Sequence, residues 1–79
     1  MILTMYALKD ELNGFTSPIP FMSEELAKRY LKDQATENPT IRNNPEDFSL
    51  WRMGAYDSET GTFQQAHGIE LVERAKSYV

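Results

Sequence analysis

A chain of 79 residues makes one domain, 1–79, and buries only about 60% of its extended-chain surface, so a second copy would add stability. The absence of cysteine excludes disulfides and thiolate zinc sites and fits a reducing compartment. Twelve acidic residues against eight basic ones, net −4, oppose strong non-specific attraction to nucleic-acid phosphates. Lys28, Arg29, Lys32, Arg42 and Arg52 nevertheless gather in the middle third, while Asp57, Glu59, Glu70 and Glu73 weight the end. No leader-like start and no apolar run near the ~20 residues that span a bilayer is present. The expectation is a soluble chain with no membrane partner.

The opening stretch is rich in β-formers, and Ile2 to Leu8 reads as a strand. Asn13-Gly14 is a turn pair, because both residues tolerate positive φ. Phe15 to Phe21 is extended but carries Pro18 and Pro20, which restricts it to a sheet edge. Ser23 is a good N-cap, with Glu24 and Glu25 placed to meet the positive end of a helix dipole. Leu26, Ala27, Tyr30, Leu31 and Ala35 then form one apolar stripe at helical spacing. Glu24 with Lys28 and Glu25 with Arg29 are i, i+4 pairs, and the helix should fade by Glu37, ahead of Pro39. "NPTIRNNPED" reads as a loop on composition. Asp47 to Tyr56 and Thr62 to Gln65 read as a hairpin around "DSETG", with Gly61 suited to a left-handed position. In the tail, Ile69, Val72, Ala75 and Val79 stand near helical spacing, with Glu70 and Arg74 as another i, i+4 pair. That favours a short C-terminal helix over a fifth strand.

Strand alternation sorts the side chains into two sets. Leu3, Met5, Ala7, Trp51, Met53 and Ala55 form one, and a simple arrangement sets most of them under the helix stripe. Thr4, Tyr6, Arg52 and Tyr56 then form an open face, where Arg52 lays its stem over aromatic rings. Such a face is a plain mixed surface, a self-association face, or a platform on which bases stack while guanidinium groups hold phosphates.

Other candidates are weaker. His67 reads as a loop residue, because metal sites and acid–base dyads need partners that this chain does not supply. Asp57 and Glu59 read as turn residues, since the remaining oxygen ligands of a calcium loop are missing. The Lys28, Arg29 and Lys32 cluster is most simply a solvated helix face. There is no phosphate-binding glycine loop, nucleophile elbow or paired-carboxylate signature. The expectation is a protein without catalysis, metal or cofactor.

"MYALKDELNGFTSPIPF" and "NPEDFSLWRMGAYDSETGTF" resemble the small nonstructural protein of gokushoviruses, the single-stranded DNA microviruses. The shared pattern is an aromatic-rich strand ending in Asp10, a proline-bearing segment, and a helix closed by Asn38-Pro39. It continues with Pro45, Glu46, Asp47, Phe48, Leu50, Gly54, Tyr56, Asp57, Thr60 and Gly61. The resemblance implies a phage protein of the host bacterial cytoplasm that binds DNA or controls genome synthesis at the switch to single-strand synthesis and packaging. On that reading Tyr6 and Tyr56 stack bases, while Arg52, Arg42, Arg29 and Lys9 meet phosphates. The expected partners are single-stranded DNA and a second copy, as homodimer or higher oligomer. The alternative is an interaction module that self-associates or docks on the replication initiator or procapsid without DNA. The expected fold is α+β: a small antiparallel sheet with one main helix on one face and a short C-terminal helix. A small OB-like barrel is the alternative.

Overall fold

A computed structural model describes residues 1–78; the side chains of residues 65–67 and all of Val79 lie outside the described part. Five strands form one antiparallel sheet: β1 (Ile2–Asp10), β2 (Gly14–Phe15), β3 (Ile19–Phe21), β4 (Phe48–Asp57) and β5 (Thr62–Arg74). β1 and β4 are central, β5 flanks β4, and β2 and β3 both pair with the other side of β1. The order is linear and the sheet open, so the α+β reading holds and the barrel alternative does not.

The main helix, α1 (Glu24–Glu37), starts where the sequence says it should. The Ser23 side chain accepts the Leu26 N–H at 3.3 Å, and Glu24 and Glu25 occupy the first turn. Its buried side chains are Ala27, Leu31 and Ala35, whereas Leu26 stays exposed. The helix ends at Asn38, but the next stretch is not a loop. Asn38 accepts the Thr40 N–H at 3.0 Å and Pro39 takes the first helical position, opening α2 (Pro39–Asn43). A 3-10 turn over Pro45–Asp47 then leads into β4. Proline has no N–H to lose at a helix start and its φ is already helical, so Asn-Pro both ended one helix and began another.

The core joins Tyr6, Leu8 and Leu50 of the sheet to Ala27, Leu31 and Ala35 of α1, Ile41 of α2, and Ala75. Phe21, Tyr30, Phe48, Val72 and Tyr78 pack around it. The helix therefore covers the face that alternation left open. Two of the three buried residues of its stripe are alanines, set against the larger side chains of Tyr6, Leu8 and Leu50. Leu3, Met5, Ala7 and Trp51 consequently stand on the uncovered face.

A second departure comes from register. Tyr6 pairs with Arg52 and Met5 with Gly54, leaving Met53 as an extra residue in β4. Such a bulge reverses alternation beyond it. Paired residues share a face, so Tyr56, opposite Leu3, lies on the uncovered side and Arg52, opposite Tyr6, on the helix side.

The hairpin turn forms as read, with Gly61 at φ +74° and the Gly61 N–H donating to the Asp57 carbonyl at 2.8 Å. Asp57 and Glu59 belong to this turn. Its return strand does not stop at Gln65, however, and continues to Arg74. The helical tail is only the 3-10 turn Ala75–Tyr78. Ile69 and Val72 thus lie in a strand, as does the backbone of His67, read from sequence as a loop residue. The His67 side chain is outside the described part.

Candidate functional site: the uncovered sheet face

The register of β2, β1, β4 and β5 lays out the uncovered face in rows. Phe15, Lys9, Ser49 and Arg74 form one row; Ala7, Trp51 and Leu71 form the next; Leu3, Tyr56 and Phe63 lie near the far end. Beside Ser49, which is buried, the indole N–H of Trp51 donates to Ser49 Oγ at 2.8 Å and fixes the ring. Phe15 meets Trp51 edge to face, with centroids 6.1 Å apart. Lys9 Nζ stands over both rings, 5.7 Å from the Phe15 centroid and 5.6 Å from that of Trp51. Phe15, Phe63 and Leu71 are exposed, at 42%, 50% and 40% respectively, on a face that no helix covers.

Charge is sorted across the sheet. At the paired, described positions of the uncovered face the charged residues are Lys9 and Arg74, with no Asp or Glu. Lys9 also reaches Glu11 of the adjacent turn at 3.2 Å. Because Glu11 is exposed, that pair contributes about 1 kcal/mol or less.

The five residues assigned from sequence to a nucleic-acid surface do not share one. Tyr6 is 2% exposed, with its ring edge-on to Phe21 at 5.9 Å under the helix. Burial, then the Glu24 carboxylate, push its phenol above the ordinary value, against the pull of the Arg52 guanidinium. Arg52 bridges α1 to β5: it donates to Glu24 at 3.4 Å and to Glu70, and these carboxylates, Glu70 foremost, raise its already high pKa. Glu70 therefore serves Arg52, not the i, i+4 partner expected in a helix. Arg29 is exposed on α1; Arg42 lies on α2, donating to the Thr36 carbonyl at 3.3 Å. Tyr56 alone belongs to the uncovered face, half-buried. Sequence reasoning missed Phe15 and Trp51 as partners of Lys9, and Arg74 as a member of the same row. The available signal was the alternation of Trp51 with Arg52, which reads either way until the helix is placed.

Elsewhere, among the described residues, no three metal-capable side chains converge, and no helix is long and apolar enough to cross a membrane. The family model described as Phage ORF5 protein matches residues 3–78, and the chain belongs to that family. No curated protein and no solved structure matches it.

Proposed function

We propose that this member of the phage ORF5 family is a non-enzymatic nonstructural protein that binds single-stranded DNA on its uncovered sheet face. The observation that carries the reading is the Lys9 ammonium set over two joined aromatic rings, in a row that ends at Arg74. Unpaired bases present flat π-faces that stack on aromatic side chains at about 1–3 kcal/mol per base. Trp51 and Phe15 supply such rings, Tyr56 and Phe63 lie further along, and the two cations are placed for backbone phosphates. Sorting of charge answers the objection from a net charge of −4: Glu24 and Glu70 are engaged by Arg52 on the opposite side.

The gokushovirus resemblance supports the same role at a larger scale. On it, the protein acts in the host bacterial cytoplasm when replication turns to single-strand synthesis and packaging. Binding needs no metal or cofactor. Anisotropy titration of a labelled single-stranded oligonucleotide, at two salt concentrations and against a duplex control, tests the reading. Salt-sensitive binding that exceeds duplex binding is expected, and absence of binding at low salt contradicts it.

A second reading is favoured by the apolar part of the same face. Leu71, in the row of Ala7 and Trp51, and Phe63, in the row of Leu3 and Tyr56, are exposed, and exposed apolar surface marks protein contacts. On this reading the face docks on the phage replication initiator or procapsid without DNA. The same titration separates the two, since the docking module leaves the oligonucleotide free.

A further inference from the structure

We infer that the outer edge of β5, over Gly68–Arg74, pairs with the same edge of a second copy, joining two sheets across a two-fold axis. The inference rests on main-chain geometry and stands apart from the DNA reading.

The two edges of the sheet are built differently. One is β2 and β3, of two and three residues, with Pro18 between them and Pro20 inside β3. Short strands and prolines are how folded proteins blunt an edge. The other edge is β5, thirteen residues long and without proline. Among the described residues no strand pairs with its outer side. Gly68, Ile69, Glu70, Leu71 and Arg74 are exposed there.

Charged side chains and bulges are the other common guards of an open edge. β5 shifts register against β4 between Leu50/Trp51 and between Arg52/Gly54, and Arg74 is exposed, but both carboxylates of this stretch are engaged within the chain. Glu70 receives Arg52, and Glu73 accepts the Ser77 hydroxyl at 2.9 Å. What remains is a row of unpaired backbone groups beside Ile69 and Leu71, a template for strand addition.

Symmetry selects a second copy as the occupant. Identical strands related by a two-fold axis run antiparallel, the sense of every other pairing in this sheet. Each copy offers one open edge and one blunted edge, so the contact is isologous and closes at two chains without growing into a filament.

Analytical ultracentrifugation across a concentration series tests this, with twice the 9.1 kDa chain mass expected. The double variant Ile69→Lys/Leu71→Lys sets four cations along the joint and is expected to sediment as a monomer with an unchanged circular dichroism spectrum. Phe15→Lys, on the same face at the far edge, is expected to stay dimeric, whereas face-to-face packing would lose its dimer there too. Amide hydrogen exchange of the unaltered protein reads the joint directly. Protection over 68–74 should rise with protein concentration. A chain that stays monomeric at its highest soluble concentration overturns the inference. So does a dimer broken by Phe15→Lys, or exchange over 68–74 that ignores concentration.

Discussion

Arg52 stands mid-strand between Trp51 and Met53, and alternation correctly turns it away from Trp51. Its partners, however, are 28 and 18 residues away, and no local pattern announces contacts at that range. Since its side chain is more than a third exposed, water screens both pairs. We expect Arg52→Ala to lower stability in urea by about 1 kcal/mol or less and to leave oligonucleotide affinity unchanged. A selective loss of affinity would return Arg52 to the binding surface. Trp51→Ala should do the reverse, weakening single-strand binding roughly 5- to 150-fold through the loss of one stacking contact. Tyr6 adds a pH dependence. Its folded phenol keeps the proton to higher pH than the unfolded chain does. Its contribution is whole below the ordinary value of about 10 and is lost as pH rises through the folded value. In alkaline denaturation series the unaltered protein should therefore lose stability faster than Tyr6→Phe.

Among the elements, those signalled by local chemistry were legible. Ser23 caps α1, Glu24 pairs with Lys28 at 3.5 Å, and Gly61 closes the hairpin. Ser23→Ala should cost about 1 kcal/mol in thermal or urea unfolding, as the Leu26 N–H loses its acceptor. Leu31→Ala should cost about 2–5 kcal/mol, because Leu31 is fully buried at the centre of the core. A chain of this size holds roughly 4–12 kcal/mol in all, so that variant loses a large share of the total and should unfold at a much lower urea concentration. What was not legible depended on pairing. The bulge at Met53 leaves no sequence mark except the adjacent Gly54, yet it moves Tyr56 to the other side of the sheet. Likewise Ile69, Val72 and Ala75 fit a helix by spacing. They are divided between strand and 3-10 turn because β4 continues to offer Trp51, Leu50 and Ser49 as partners to Leu71, Glu73 and Arg74.

At the scale of the molecule, the central ambiguity was which face receives the helix. Leu3, Met5, Ala7 and Trp51 make as plausible an apolar set as Tyr6, Leu8 and Leu50, so composition could not choose. In the fold the helix lies over the second set, with Ala27, Leu31 and Ala35 buried against it and Arg52 reaching Glu24 from that side. The result is an acidic protein whose uncovered face carries aromatic rings and two cations, one sheet edge blunted and the other open. If Lys9 and Arg74 each meet one phosphate, single-strand affinity should fall with salt at a log–log slope of about −1.4 per chain. Trp51 is the sole tryptophan, so its fluorescence reports from the middle of the proposed platform. The measurement to make is Trp51 emission during titration with a single-stranded oligonucleotide at low salt. Saturable quenching, reversed by added salt and lost in Lys9→Ala, is the predicted result. Emission that stays constant while anisotropy shows the oligonucleotide bound would place DNA elsewhere and contradict the account.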